Sequence, residues 1–299
     1  ININSITTSN LGTFAVGSNT LTGSAAKLDG VTVGGAGTTA VTALHSTLDA
    51  DLSGIDTTTT TAAFDGNGTF IGTLDDAVVT VGDGFTMTAA ATKVAGETVN
   101  KVTDGKLAVT VGTGDAGVDL TTISGTAIDS VTVTESLTFT GTLHGTVATT
   151  VANTKTMSLA ATFFEDPAGT NQKVIGGDGS TAVTGADAGT RYDFRGITSD
   201  SGTTSVEFST GGLINGFTAF SSASTSLKIA DGETLRITAD QATGRTVESS
   251  GTGADDGDIY ITGLAAAVAY DFTGVASGSG TEKAEFSNTD VILDSGASL

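Results

Sequence analysis

The sequence predicts an all-β protein built as a repetitive β-solenoid, similar to a parallel β-helix. Three observations indicate this fold class. One aspartate motif returns at a nearly constant spacing, glycines bound many short alternating runs, and small β-branched residues far outnumber aromatic ones. Recurrence of one unit along a chain is typical of repeat architectures, in which each unit stacks on its neighbours.

The recurring motif is an aspartate followed at once by a large apolar residue, with a β-branched residue three positions after that apolar one. Its copies start 68, 74 and 78 residues apart, at Asp51, Asp119, Asp193 and Asp271. Each aspartate begins a strand after a loop, where its side chain can accept hydrogen bonds from the backbone N–H groups of the turn. We therefore predict a structural role for all four.

Other elements recur in the same order around each motif. A threonine-rich alternating run leads into small residues, β-branched residues follow, and a second alternating run precedes the aspartate. The first runs start at Thr20, Phe85, Met157 and Leu235, and the second at Ala40, Leu107, Thr181 and Asp258. Phenylalanine-bearing strands over 70–74 and 139–143 close the first two units. Chance similarity in a Gly/Thr/Ala-rich composition is the alternative, but composition alone does not keep elements in a fixed order.

This order divides the chain into an N-terminal segment and four repeats. Residues 1–18 form a strand segment that pairs with the first repeat or with a neighbouring molecule. The repeats span residues 19–74, 75–143, 144–217 and 218–299. The third repeat carries an insertion near 163–171 with the only proline, Pro167, and the fourth ends in a terminal strand over 290–294. The insertion is either a functional loop or a tolerated irregularity.

The 42 glycines repeatedly bound runs of four to seven residues, which is typical of short strands joined by tight turns. At this density of turns each repeat holds roughly seven strands. A string of small Ig-like β-sandwich domains would satisfy the same count. Domains this small, without tryptophan or cysteine, are difficult to stabilise, whereas a solenoid needs only a thin core of small apolar residues. Residues 89–94 and 239–242, rich in alanine, predict single helical turns.

Composition limits the partners. Twelve Lys+Arg against 33 Asp+Glu give a formal net charge of −21 and a pI of about 4.1. Such a surface repels the phosphates of nucleic acids and anionic lipid head groups, so no nucleic-acid partner is expected. The chain has no cysteine, which excludes disulfides and thiolate metal sites. A run of 18 apolar residues is absent, and we expect no membrane span.

Two acidic clusters are the candidate metal sites. They comprise Asp49, Asp51 and Asp56 around the first aspartate motif, and Asp255, Asp256 and Asp258 in a glycine-flanked stretch. Ca²⁺ takes about six to eight oxygen ligands in a flexible cage, and carboxylates with turn carbonyls supply them. The sequence therefore predicts Ca²⁺ as a ligand, with solvated acidic turns as the alternative.

Catalytic motifs are missing from the sequence. The two histidines, His45 and His144, lack metal-ligand spacing and a nucleophile motif. A polysaccharide-degrading β-helix enzyme would need paired acids or basic residues in a cleft lined with aromatic side chains. With no tryptophan and three tyrosines, that interpretation is disfavoured, and we predict a protein that is not an enzyme.

The glycine-, threonine-, alanine- and aspartate-rich strands without cysteine resemble bacterial S-layer proteins and the large repetitive surface adhesins exported by type I secretion. Residues 34–41 and 176–183 are similar to the calcium-binding nonapeptide of RTX proteins. They carry Thr39 and Thr181 where that motif has its aspartate ligand, so calcium binding is not transferred to them. The resemblance implies a β-solenoid or a chain of β domains located at the bacterial cell surface or outside the cell.

Two functions follow as hypotheses. The first is a non-enzymatic extracellular structural protein that self-assembles through its repeated β units into a surface layer or filament, with copies of itself as partners. The alternative is a stalk or ligand-binding segment of a bacterial adhesin, in which the insertion near 163–171 or an acidic edge binds a cell-surface glycan.

Overall fold

The protein is described by a computed structural model that covers residues 1–6, 12–45, 49–125, 128–145, 147–165, 175–215, 218–220, 225–251, 256–265, 268–276 and 282–286. The chain is mostly parallel β-sheet with few helices, arranged as a β-solenoid of about 11 turns. The predicted solenoid is therefore confirmed. Parallel pairing between successive coils differs from the antiparallel pairing of the Ig-like alternative.

The strands of the first half of the chain are β1 Thr13–Ala15, β2 Thr20–Ser24, β3 Thr32–Leu44, β4 Ile55–Phe64, β5 Gly68–Phe70, β6 Val78–Val81, β7 Thr86–Ala90, β8 Val99–Lys101, β9 Lys106–Val111 and β10 Ile128–Val133. The others are β11 Leu137–Phe139, β12 Thr149–Val151, β13 Thr156–Ala160, β14 Ile175–Gly176, β15 Ser180–Asp187, β16 Asp193–Phe194, β17 Thr204–Thr210, β18 Gly212–Leu213, β19 Ala219–Phe220, β20 Thr225–Ile229, β21 Thr234–Thr238, β22 Val247–Ser249, β23 Asp258–Leu264, β24 Val275–Ala276 and β25 Glu282–Phe286.

Short helical turns follow equivalent strands in the four repeats. They are α1 Ala25–Leu28, α2 Ala91–Val94, the 3-10 turn Ala161–Phe164 and α3 Ala239–Ala242. In α3 the turn begins with a reciprocal cap, because Thr238 Oγ1 accepts the N–H of Gln241 and Gln241 Oε1 accepts the N–H of Thr238, both at 3.3 Å. The helical turn predicted over 239–242 is confirmed, and the one predicted over 89–94 is shorter than expected, because Ala89 and Ala90 end β7 and α2 begins at Ala91. Further 3-10 turns span Thr113–Asp115 and Leu120–Thr122.

The chain divides into two compact units, Ile1–Thr134 with Thr140–Thr149, and Glu135–Phe139 with Thr150–Leu299. In the first unit one sheet has the order β1-β3-β4-β6-β8, with β2 also paired to β3. The pairs β5-β7, β7-β9 and β9-β10 form a second parallel set. Their register places like residues side by side, as in Met87 with Leu107 and Val79 with Val99.

The N-terminal segment adds to the first coil. Ile3 donates its N–H to the carbonyl of Thr22 at 2.9 Å, and Thr22 donates to the carbonyl of Ile1 at 2.7 Å. The side chain of Ile3 is buried in the core. Of the two uses predicted for residues 1–18, pairing with the first repeat is thus the one that this chain shows.

In the second unit the longest sheet has the order β11-β13-β15-β17-β20-β22-β24, and a four-stranded sheet has the order β18-β21-β23-β25. One core column in the longest sheet contains a single buried apolar residue from each successive coil. It consists of Phe139, Leu159, Val183, Val206, Leu227 and Val247. Paired parallel strands can bury such a column because side chains alternate between the two faces of a sheet.

Most predicted strands are found at their expected places, with two corrections. The closing strands predicted over 70–74 and 139–143 end at their first residue, since β5 ends at Phe70 and β11 at Phe139. After each phenylalanine the chain turns a tight corner at a glycine and leaves the sheet. Two further predictions fall largely outside the described residues: the terminal strand over 290–294 and most of the insertion near 163–171. Of the insertion, Phe163 and Phe164 belong to a 3-10 turn.

Candidate functional site

The four recurrent aspartates form equivalent corners of the solenoid. In each, the Oδ1 atom accepts the backbone N–H of the residue two positions later: Asp51 from Ser53 at 3.0 Å, Asp119 from Thr121 at 2.9 Å, Asp193 from Arg195 at 3.0 Å and Asp271 from Thr273 at 3.1 Å. These are the turn hydrogen bonds predicted for the four aspartates. Because a carboxylate accepts better than a neutral group, the side-chain and backbone hydrogen bonds hold the pKa of Asp51, Asp119 and Asp271 below its usual range.

Two of these corners pack closely against the following coil. Asp51 forms a parallel bridge with Thr73, and Asp119 forms the same bridge with Thr142. The glycine before each threonine packs directly against the backbone of the previous coil. A Cβ atom on Gly141 would therefore overlap the carbonyl oxygen of Val118. Glycine is thus required at this position by the close approach of two coils.

Aromatic and charged side chains reinforce the corners of the second unit. Asp193 is buried and makes a bidentate ion pair with Arg195, at 2.9 Å to Nε and 2.6 Å to Nη2. The ring of Tyr192 stacks on Phe194 at 5.2 Å, and Phe194 stacks on Phe220 at 5.7 Å. The hydroxyl of Tyr192 accepts the N–H of Asp187 at 3.0 Å. These contacts stabilise the backbone of the corner at Asp193.

The residues of the first predicted metal cluster lie on the surface around the Asp51 corner. Asp49, Asp51 and Asp56 are all exposed, and Asp56 lies in β4, beyond the corner that Asp51 forms. A contact that the sequence did not indicate joins Asp51 to another carboxylate: Asp29 Oδ1 accepts the N–H of Asp51 at 2.9 Å. Asp29 belongs to the previous coil, so no local spacing could have indicated it.

The second predicted cluster is partly outside the described residues, because Asp255 is not among them. Asp256 and Asp258 are half-buried, and β23 begins at Asp258. The backbone between them is held by Gly257, which donates to Ser249 Oγ at 3.1 Å, and by Asp258, which donates to the carbonyl of Glu233 at 2.8 Å. The described residues contain no group of three or more His, Cys, Asp or Glu placed to hold a metal ion, and Ca²⁺ stays a prediction.

A larger acidic group is created by the stacking of coils. We define the acidic corner as Asp29, Asp51, Asp75, Asp76 and Glu97. Asp29 contacts Asp51, Asp51 is bridged to Thr73, two residues before Asp75, and Glu97 lies on the next coil against Asp75 and Asp76. Burial, and then the charges of Asp76 and Asp75, raise the pKa of Glu97. Lys93 is the cation whose charge acts on Asp51.

A column of apolar, basic and aromatic side chains lies on the outer face of the four-stranded sheet in the second unit. Leu213, Arg236 and Tyr260 occupy paired positions on β18, β21 and β23. The guanidinium of Arg236 lies 4.8 Å from the centre of the Tyr260 ring, and Leu213 is 53% exposed. Thr234, Thr238 and Thr262 flank this column. We call Leu213, Arg236 and Tyr260 the basic-aromatic column. Its members are distant in sequence, and nothing in their local sequence distinguishes them.

Among the described residues, none of the helices is long and apolar enough to cross a membrane. Comparison of the chain with protein-family models, with curated proteins and with solved structures gave no match.

Proposed function

We propose that this chain is a non-enzymatic structural protein of the bacterial cell surface, which self-assembles into a layer or filament through its repeated β units. The observation that supports it most directly is the pairing of residues 1–3 with Thr22. There, a short extended segment adds to the edge of a coil and places an apolar side chain in the core. A strand of another copy can satisfy an open edge by the same backbone hydrogen bonds.

The use of the polar side chains supports the same proposal. The aspartates that recur along the chain accept hydrogen bonds from turn N–H groups, and Tyr192 and Arg195 support the corner at Asp193. A chain whose recurring polar residues hold one coil geometry is suited to building a regular array. Ca²⁺ at the predicted acidic clusters would neutralise repulsion between chains that each carry a net charge of −21.

Negative-stain electron microscopy of the purified chain, with and without millimolar Ca²⁺, tests the proposal. We expect sheets or filaments, more extensive with Ca²⁺. A matched variant, Ile3→Asp, places a charge where the edge contact needs an apolar side chain and reports whether a correctly docked first coil is required. Isolated particles of the unmodified chain at high concentration under both conditions would contradict self-assembly and favour the adhesin stalk, to be followed by glycan-binding assays.

A further inference from the structure

We propose that the basic-aromatic column of one copy, Leu213, Arg236 and Tyr260, docks on the acidic corner of a second copy, Asp29, Asp51, Asp75, Asp76 and Glu97. This inference rests on the proposed self-assembly and names the two surfaces that meet.

The basic-aromatic column contains the residue types that are common at the centre of protein–protein interfaces. Arginine and tyrosine are the residue types that most often carry binding energy between proteins, because a planar guanidinium and a ring bury much area at little cost in conformational entropy. Here the two are already ordered against each other, with the guanidinium 4.8 Å from the ring centre. Leu213 adds an exposed apolar side chain beside them, and the flanking threonines can form the polar rim.

The charge of the chain indicates which partner binds the basic-aromatic column. The chain carries 33 acidic and only 12 basic residues, so the half-buried Arg236 is one of few cations that an acidic surface of a second copy can approach. The acidic corner is its complement, since Asp29, Asp51, Asp75 and Asp76 are all exposed on neighbouring coils. Glu97, half-buried on the next coil, lies against Asp75 and Asp76 and adds to this acidic surface. Bringing a guanidinium to this corner relieves repulsion that the isolated chain retains.

The geometry of such a contact fits an extended assembly. The two surfaces are different patches of the same chain, so the contact is heterologous, and heterologous contacts produce rings or open arrays. Adjacent strands are about 4.8 Å apart, so the column spans roughly 10 Å, which is short for a stable interface of at least ~1,000 Å². Many copies bound in one array supply the remaining stability through avidity.

The first test compares the critical concentration for assembly, measured by sedimentation, of the unmodified chain and of Arg236→Gln. We expect the critical concentration to rise at least about tenfold, because the substitution removes a central charged contact. Lys155→Gln removes the same charge elsewhere in the second unit and is the matched control, expected to change it less than about twofold. Circular dichroism of each variant establishes that the fold is retained.

A double-mutant cycle tests the pairing itself. Asp75→Asn with Asp76→Asn removes charge from the acidic corner while keeping residue types that tolerate positive φ, which these positions have at 50° and 65°. If the two surfaces meet, Arg236→Gln added to this pair raises the critical concentration less than it does in the unmodified chain. Fully additive effects would count against the contact.

Crosslinking locates the surfaces directly, because the chain has no cysteine of its own. Copies carrying Leu213→Cys are mixed with copies carrying Thr73→Cys, next to the acidic corner, and treated with a short bismaleimide. Crosslinked dimers are expected from this mixture. In the control, the second set of copies carries Ser130→Cys, at an exposed position on β10, and no crosslinked dimers are expected.

The outcomes separate the two proposals. An unmodified chain that does not assemble overturns both. An array whose critical concentration is insensitive to Arg236→Gln, and in which the Leu213→Cys and Thr73→Cys copies crosslink no more than the Ser130→Cys control, overturns only the docking contact. Binding of polygalacturonate that needs Arg236, in the absence of Arg236-dependent assembly, would assign the column to an acidic glycan and overturn the second copy as occupant.

Discussion

The carboxylate of Asp119 accepts two hydrogen bonds from Thr121, one from the backbone N–H at 2.9 Å and one from the hydroxyl at 2.6 Å. Asp271 and Thr273 repeat this arrangement at 3.1 and 2.7 Å. The same two-residue contact therefore closes corners far apart in the chain. Its recurrence explains why the aspartate is the most regular feature of the sequence.

These contacts make the corners sensitive to acid. The pKa of Asp119 is lowered in the folded chain, first by the side-chain hydrogen bond of Thr121 and then by its backbone N–H. A lowered pKa stabilises the fold above the unfolded value, and this stabilisation is lost as the pH falls through the folded one. We expect the urea midpoint to fall between about pH 5 and pH 2, and to fall less in Asp119→Asn, whose carboxamide does not titrate. Asp104→Asn, at an exposed turn, is the control; equal pH dependence in both variants would contradict the assignment.

Glu97 is expected to have the opposite dependence. Burial, Asp76 and Asp75 raise its pKa, and its Oε2 atom is buried with no hydrogen-bond partner among the described residues. A raised pKa stabilises the fold below the unfolded value, and the stabilisation is lost as the pH rises through the folded value. Glu97→Gln removes the charge and offers N–H donors to the aspartates, so we expect a higher urea midpoint at pH 7. The gain should shrink near pH 4, where Glu97 is protonated; a variant less stable than the unmodified chain at pH 7 would show that the charge is needed.

The apolar column of the second unit should carry much of its stability. Leu227 is fully buried between Val206 and Val247. Leu227→Ala leaves a cavity and is expected to cost about 2–5 kcal/mol in the free energy of unfolding, measured by urea denaturation. Ser226→Ala changes the neighbouring, outward-facing side chain, whose hydroxyl donates to Glu248 Oε1 at 3.4 Å, and is expected to cost no more than about 1.5 kcal/mol. Similar losses in both variants would mean that the column is not the core of this unit.

The tight approach of coils at Gly141 gives a backbone prediction. Gly141→Ala would place a Cβ atom against the carbonyl of Val118, and we expect a loss of roughly 2–4 kcal/mol. Gly17→Ala is the matched control, since a Cβ there meets nothing within 4 Å. That substitution should stabilise the chain by about 0.4–1 kcal/mol through the unfolded state. Tolerance of Gly141→Ala, measured by the thermal midpoint, would show that the two coils can separate.

Much of the fold could be predicted because it is repetitive. The alternation of Leu107, Val109 and Val111 with polar residues indicates a strand with one buried face, and β9 has that burial pattern. Strand ends were harder to predict, since β5 and β11 stop where a glycine must pass the previous coil. The candidate surfaces were harder still. Asp75 and Asp76 are visible as an acidic pair, but nothing in the local pattern joins them to Glu97, and nothing joins Leu213 to Arg236 and Tyr260.

The sequence by itself determined the periodic features of this protein: an all-β repeat, the alternation that separates core from surface, and the aspartate that caps each corner. These depend on residues within a few positions of one another, where side-chain alternation and turn hydrogen bonds act. Only the tertiary structure decided which side chains of different coils share a column. That choice is made by the coil-to-coil register, which depends on every turn length and bulge between the paired strands, such as the break between Val41 and Leu44 where Ala43 adopts a φ of 54°.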